Sequence, residues 1–161
     1  MFPPLAGSHV AGRLNSSVRP HPMIPTSAIG RCLCGAISFT ALFPSKWVAH
    51  CHCTRCQRAH GAAFVTWVGM DASSVTVQDP GGCLRWFDVS GGGDRAFCKV
   101  CGSSLFFKSN RWPNELHVAR ALFTEPVDRA PKLHAYYDTH VSWARVADEL
   151  PTAPDPSSQT S

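Results

Sequence analysis

Seven of the eight cysteines fall into three short clusters with the spacing of metal ligands: Cys32 and Cys34, then Cys51, Cys53 and Cys56, then Cys98 and Cys101. In the last cluster, a C-x-x-C turn followed by glycine aims two sulfur atoms at one ion. In the first cluster, alternate residues at a strand end point to the same side, so a C-x-C pair can supply two further sulfurs. We therefore predict one closed, tetrahedral structural zinc site formed by Cys32, Cys34, Cys98 and Cys101.

The middle cluster leaves three thiols, Cys51, Cys53 and Cys56. Three protein ligands with an open fourth position are the arrangement of catalytic zinc sites, because the open position accepts water or substrate. Zinc with three thiolates carries a net negative charge, so it suits the binding and exchange of an incoming thiolate better than the generation of hydroxide. Arg55 and Arg58 can moderate this charge or bind a substrate carboxylate. We predict two zinc ions, one structural and one catalytic.

Two other interpretations of these residues stay open at this point. The middle cluster can be a second structural site, closed by His50, His52 or His60. The clustered cysteines can also be reduced core residues, since a free cysteine packs as a small hydrophobic side chain. Cys83 stands alone before a predicted strand, and we expect it to be inert in this way.

Length and composition favour one folded domain in a reducing compartment. The chain has 161 residues, 44% of them hydrophobic and 16% charged, so it can build a core. We find no secretory signal and no apolar run long enough for a membrane helix. We therefore expect a cytoplasmic protein with reduced thiols. A mitochondrial presequence is the weaker alternative, because prolines interrupt the helix that it would need.

The charge distribution is typical of a protein that binds nucleic acid, but the cysteines argue against this interpretation. The formal net charge is +4, and no acidic residue precedes Asp71, as in a basic surface that binds nucleic acid. Metal binding requires deprotonated thiols, and seven thiolates with two zinc ions lower the net charge to about +1. We therefore expect no nucleic-acid partner and interpret Arg31, Arg55 and Arg58 as counter-charges to the metal centres.

The elements that must position the cysteines are short strands between Gly, Pro and Asp residues. β-Branched and aromatic residues with partial alternation predict strands at Ala36–Ala41, Ala63–Val68, Val75–Val77, Leu84–Val89, Ser104–Lys108 and Glu115–Ala119. A short helix is predicted through Cys53 to His60, and a second helical turn is possible near Val127 to Leu133. The sequence thus predicts a mostly-β domain of antiparallel sheets over residues 29–150, with a disordered Pro-rich arm at 1–28 and a flexible tail at 151–161.

The order of the motifs is similar to that of a known family. The series Gly30-Arg31-Cys32-Leu33-Cys34-Gly35-Ala36-Ile37, then Cys51-His52-Cys53-Thr54-Arg55-Cys56, then Arg95-Ala96-Phe97-Cys98-Lys99-Val100-Cys101-Gly102 resembles the glutathione-dependent formaldehyde-activating enzyme (GFA) family, which includes centromere protein V. The resemblance implies a β-tent fold, a structural zinc on Cys32, Cys34, Cys98 and Cys101, and a catalytic zinc on Cys51, Cys53 and Cys56. It also implies carbon-sulfur lyase chemistry on adducts of a glutathione-like thiol with an aldehyde, such as S-hydroxymethylglutathione.

Two other functions are alternatives to this enzyme. A non-catalytic zinc-stapled module that binds a protein or chromatin partner is favoured if the middle site has four protein ligands. A methionine sulfoxide reductase needs a reactive cysteine outside the zinc sites in a late strand, and no cysteine follows Cys101. The lyase-type enzyme is therefore the predicted function, and the binding module is the alternative.

Overall fold

A computed structural model describes residues 24–89 and 93–156. These residues form eleven β-strands, one α-helix and three single-turn 3-10 helices. In chain order the elements are β1 (Ser27–Arg31), β2 (Ser38–Leu42), β3 (Trp47–Cys51), α1 (Thr54–His60), β4 (Val65–Asp71), β5 (Val75–Gln78), β6 (Leu84–Val89), β7 (Gly93–Cys98), β8 (Ser104–Lys108), β9 (Glu115–Ala119), β10 (His134–Ala135) and β11 (Thr152–Ala153). Most of the predicted N-terminal arm, positions 1–23, and positions 157–161 of the predicted tail lie outside the described residues.

The strands form two sheets. The smaller sheet has the order β1-β2-β5, and the larger has the order β11-β10-β3-β4-β9-β8-β7-β6. The longer strands all pair antiparallel. The two-residue strand β10 is different, because it runs parallel to both β3 and β11. The prediction of a mostly-β fold is confirmed.

The two sheets share one buried core. Phe39 of β2 packs edge to face on Phe106 of β8, with ring centroids 5.5 Å apart. Along β2 the buried residues alternate with partly exposed ones, as expected for a strand with one face against a core. Val68 and Met70 of β4 and Val118 of β9 join the same cluster. Each such side chain stabilises the fold by about 1.5–3 kcal/mol, so this core fixes the two sheets relative to each other.

Most predicted elements are present, some with shifted ends. The strands predicted at Leu84–Val89, Ser104–Lys108 and Glu115–Ala119 have those bounds in the structure. The predicted helix is α1. Its C-cap is Gly61, whose φ of 59° is in the left-handed region that favours glycine. The second helical turn near Val127 to Leu133 is not formed. A proline within that segment, Pro131, disfavours a helical conformation of the residue before it.

Part of the predicted tail is paired rather than loose. Thr152–Ala153 lies beside His134–Ala135 as β11, and the His134 amide donates to the Pro151 carbonyl at 2.8 Å. β3 occupies one edge of β10, so residues 152–153 can pair with the other edge. Along residues 24–89 and 93–156, no helix has the length and apolar character needed to cross a bilayer.

Candidate functional site

Four of the predicted ligands meet between the turn after β1 and the hairpin turn that joins β7 to β8. The sulfur atoms of Cys32, Cys34, Cys98 and Cys101 all lie within 4.8 Å of one another. The Cys32–Cys34 sulfur distance is 3.6 Å, and the Cys34–Cys98 distance is 3.8 Å. The two turns are separated by 64 residues in sequence, so this cluster joins the small sheet to the large one.

The spacing of these sulfurs fits a tetrahedral metal ion. Zn–S bonds of about 2.3 Å in a tetrahedron place neighbouring sulfurs about 3.8 Å apart, close to the distances seen here. The sulfurs also receive hydrogen bonds that favour thiolates: the Ile37 amide donates to Cys32 Sγ at 3.4 Å. A hydrogen bond from the Ser103 hydroxyl lowers the pKa of Cys101 to about 5. The four residues can therefore hold a metal ion.

The other three predicted ligands form a second cluster at the start of α1. Cys51 ends β3, Cys53 caps the helix, and Cys56 lies in its first turn; the three sulfurs are within 4.8 Å of one another. The Cys53 sulfur accepts the Cys56 amide at 3.3 Å, which is an N-cap hydrogen bond. The cap brings two of the sulfurs together, and the end of β3 supplies the third, 3.6 Å from Cys56.

One sulfur of this second cluster is strongly stabilised as a thiolate. Hydrogen bonds from the thiols of Cys51 and Cys53, together with the positive charge of Arg95, lower the pKa of Cys56 to about 2. Arg95 Nη2 lies 3.5 Å from Cys56 Sγ. Hydrogen bonds with Cys53 and Cys56, together with burial, raise the pKa of Cys51. Without a metal the cluster therefore holds one negative charge next to a guanidinium group.

The neighbouring histidines make other contacts, although His52 Nδ1 is buried without a hydrogen-bond partner among the described residues. His52 Nε2 and His134 Nδ1 are 2.8 Å apart, and His134 Nε2 lies 2.9 Å from Asp148. His50 Nδ1 is 2.8 Å from the Thr66 hydroxyl, and His60 packs edge to face on Trp67. Among the described residues, the metal-ligand set at α1 contains only the three cysteines. A second structural site closed by His50, His52 or His60 is therefore not formed in this geometry.

The three-cysteine cluster opens on a cavity of about 970 Å³. This volume is at the upper end of the range of about 300–1,000 Å³ for pockets that hold small molecules. The four-cysteine cluster does not line it. Basic side chains outnumber acidic ones in the lining. The acidic residue is Asp155, and the basic residues are Lys46, Arg55, Arg95, Arg111, Arg129 and Lys132. The cavity therefore favours an anionic ligand beside the sulfurs.

The wall of this cavity contains a buried histidine among aromatic rings. His117 of β9 is 4% exposed, and ring centroids of Trp47, Trp112 and Phe107 lie 4.6, 5.3 and 5.4 Å from its own. Its Nε2 atom is 3.2 Å from a carboxylate oxygen of Glu115. Burial lowers the pKa of His117, although Glu115 opposes the shift.

Comparison with known proteins assigns the chain to a family. The family model for glutathione-dependent formaldehyde-activating enzymes matches residues 27–139. The chain belongs to this family. A Halomonas elongata protein provisionally named as such an enzyme is 25% identical over 124 residues, which are 73% of this chain and 79% of that protein. An uncharacterized lyase of Schizosaccharomyces pombe is 29% identical over 94 residues, 58% of this chain and 66% of that protein.

A solved structure supports the fold of the GFA chain independently. A crystal structure of a Rhodobacter sphaeroides protein superposes with a TM-score of 0.54 at 19% sequence identity. The match covers 78% of this chain and 99% of that one. At this identity the likeness concerns the fold alone.

The GFA chain also brings to the site residues that the sequence did not point to. The arginines singled out from the sequence were Arg31, Arg55 and Arg58, and of these Arg55 lines the cavity. The arginine that contacts the Cys56 sulfur is Arg95, which lies on β7. His117 was also missed, although Glu115 and His117 occupy alternate positions of a predicted strand and must share a face.

Proposed function

We propose that this protein is a zinc-dependent enzyme of the carbon-sulfur lyase type that handles adducts of a glutathione-like thiol with an aldehyde, such as S-hydroxymethylglutathione. The observation that carries the proposal is the three-cysteine cluster, which has no fourth described ligand and faces a basic cavity. Family membership and the lyase name of the yeast relative support the reaction class.

In this proposal the two clusters have different roles. Cys32, Cys34, Cys98 and Cys101 hold a structural zinc ion that joins the sheets, and Cys51, Cys53 and Cys56 hold a catalytic one. At the catalytic position zinc supplies a positive charge that favours the thiolate form of a bound thiol. We further infer a reducing compartment, the cytoplasm, because all seven sulfurs must remain thiolates.

The reaction needs no oxidant. A carbon-sulfur bond forms between the thiol sulfur and the aldehyde carbon, and the thiol proton ends on the aldehyde oxygen; cleavage is the reverse. The contribution of the chain is to bring two reactants together in one orientation. The basic lining of the cavity supports binding of the carboxylates of a glutathione-like thiol. The aromatic rings of Trp47, Phe107 and Trp112 line the same cavity and add apolar contact area.

Metal content and its response to a thiol test the proposal. We would measure zinc per chain in protein purified without chelator, for the wild type, Cys53→Ser and the matched control Cys83→Ser. Cys83 is buried but belongs to neither cluster. We expect Cys53→Ser to lose one of two ions with the fold intact, and the control to lose none.

The same samples are titrated with glutathione after the labile ion is replaced by cobalt. A change in the thiolate-to-cobalt absorption that is absent in Cys53→Ser supports an open metal position. A single ion per wild-type chain, or two ions that do not respond to glutathione, contradicts the enzyme proposal and favours a binding module for a protein or chromatin partner.

A further inference from the structure

A histidine and a carboxylate form an ordered pair on the cavity side of β9. Glu115 and His117 are two residues apart, so their side chains lie on the same face of the strand. Glu115 Oε2 lies 3.2 Å from His117 Nε2 and also accepts the indole N–H of Trp47 at 3.2 Å. Its other oxygen is 3.0 Å from Lys46 Nζ. The carboxylate is therefore held from three directions.

These contacts determine which ring nitrogen of His117 carries the proton. Burial opposes ionisation of Glu115, but the hydrogen bonds from Lys46, Trp47 and His117 lower its pKa overall. An ionised carboxylate only accepts hydrogen bonds, so Nε2 of His117 must be protonated. In a neutral ring the proton-free nitrogen is then Nδ1. No described group makes a hydrogen bond with Nδ1.

His117 shares its cavity with the three-cysteine cluster. His117, Cys51, Cys53 and Cys56 all line the same space. Around His117 the lining is aromatic, because the rings of Trp47, Phe107 and Trp112 pack against the imidazole. A buried histidine with a carboxylate on one nitrogen and a free second nitrogen is the arrangement of a general base oriented by a third group.

We propose that His117 is the general base and acid of the thiol-aldehyde reaction, oriented by Glu115; this rests on the function proposed above. In cleavage, Nδ1 takes the proton from the hydroxyl group of the S-hydroxymethyl adduct. The oxygen electrons form the aldehyde C=O bond, the carbon-sulfur bond breaks, and its electron pair leaves with the sulfur as thiolate. In condensation the thiolate attacks the aldehyde carbon, and protonated His117 returns the proton to the oxygen.

Glu115 is a positioning residue in this scheme. It fixes the tautomer and orientation of His117 and stabilises the protonated ring, but the adduct does not need to touch it. Trp47 and Lys46 in turn hold Glu115 in place. Replacing Glu115 by glutamine keeps the shape but makes the group neutral, so the effect is expected to be smaller than that of removing the base.

Rates of exchange between glutathione, formaldehyde and their adduct, followed by NMR exchange spectroscopy, test the proposal in the zinc-loaded protein. We expect His117→Gln to reduce the enzyme-dependent exchange rate by about 10²–10⁴-fold, and Glu115→Gln to reduce it by a smaller factor. His140→Gln is the matched control, because His140 is exposed and does not line the cavity. Zinc content is expected to stay the same in all three variants.

A binding measurement provides a readout that does not depend on turnover. S-(2-hydroxyethyl)glutathione carries a hydroxyl group near the sulfur, and S-methylglutathione lacks one. His117→Gln should weaken binding of the first about tenfold, the effect of one lost hydrogen bond to a buried group, and leave binding of the second unchanged.

The outcomes separate the two proposals. Wild-type exchange above the uncatalysed rate together with undiminished exchange in His117→Gln overturns the role of His117 alone. Absence of wild-type acceleration overturns the proposed enzyme function, and with it the general-base step. In that case the paired analogues still decide whether His117 binds the hydroxyl group: equal changes in affinity for both, or none, exclude it.

Discussion

Gly69 of β4 lies under the indole ring of Trp47, so replacing it with alanine should disturb the Glu115 and His117 pair without touching a cysteine. A Cβ atom at Gly69 would come within 2.5 Å of Trp47 Nε1 and 2.6 Å of Trp47 Cδ2. Ordinary contact between such atoms is about 3.5–4.0 Å. The atoms belong to a rigid double ring, so Trp47 must move as a whole.

The cost of this movement has two parts. Overpacking of a well-filled site costs about 1–3 kcal/mol. Trp47 also donates to Glu115 at 3.2 Å, and the side chain of Glu115 is 14% exposed; losing a hydrogen bond to a charged, largely buried group costs about 1.5–3 kcal/mol. The indole can keep part of this bond as it shifts. We therefore expect a loss of about 2–4 kcal/mol and a fall in Tm of about 10 °C for a domain of this size.

Thermal unfolding of zinc-loaded protein by circular dichroism measures this loss. Gly81→Ala is the control, because a Cβ atom there meets only Cys83 Sγ, at 3.3 Å, and a change within about 1 kcal/mol is expected. Gly69→Ala should retain two zinc ions while its enzyme-dependent exchange rate falls. A Tm within about 2 °C of the wild type, with unchanged exchange, would refute the packing argument.

Three other changes test separate contacts. Arg95→Gln removes the guanidinium group 3.5 Å from Cys56 Sγ. In protein that keeps the ion at the four-cysteine cluster but lacks the one at the three-cysteine cluster, the pKa of Cys56 should therefore rise; thiolate absorbance against pH measures the shift, and an unchanged titration contradicts it. Cys98→Ser should lose one zinc ion and unfold at much lower temperature than Cys83→Ser, because a structural metal contributes to folding; elemental analysis with thermal unfolding checks both. Asp148→Asn weakens the 2.9 Å contact with His134 at an exposed position, so its effect on global stability should be small. The expected sign is faster hydrogen exchange at the amides of His50 and His52, which donate to residues 133 and 135, and unchanged exchange counts against it.

The sequence alone predicts those strands whose residue pattern lies within one short segment. β6, β8 and β9 were predicted with their bounds, because β6 and β8 are rich in aromatic residues and β9 alternates polar with apolar side chains before Ala119. β1, β3 and β7 were not predicted. Glycine interrupts β1 and begins β7, which weakens the apolar pattern, and β3 has only one aromatic and one β-branched residue, Trp47 and Val48. β10 and β11 have two residues each, and they exist only because distant segments pair there. No local propensity encodes such a pairing.

The residues of the candidate site also fall into two groups: those that the sequence predicts and those that only the fold brings together. The cysteine clusters were predicted as sets because spacings of two and three residues are themselves the signal of metal ligands. Arg95 and His117 come into the cavity through the pairing of β7 with β8 and of β9 with β4. An isolated arginine or histidine carries no such spacing signal. Only the alternation of Glu115 with His117 could have been noticed in advance.

The two cysteine clusters differ in how strongly they depend on the fold. Cys51 and Cys56 are five residues apart and are brought together where β3 leads into α1, whereas Cys34 and Cys98 are 64 residues apart. In an unfolded chain, closing the longer loop costs about 2 kcal/mol more entropy. The four cysteines of the unfolded chain therefore bind an ion weakly. Because binding then favours the native state, an ion at this cluster stabilises the fold more than one at the three-cysteine cluster. The three-cysteine cluster is local, so its ion can be exchanged or respond to substrate with less effect on the fold.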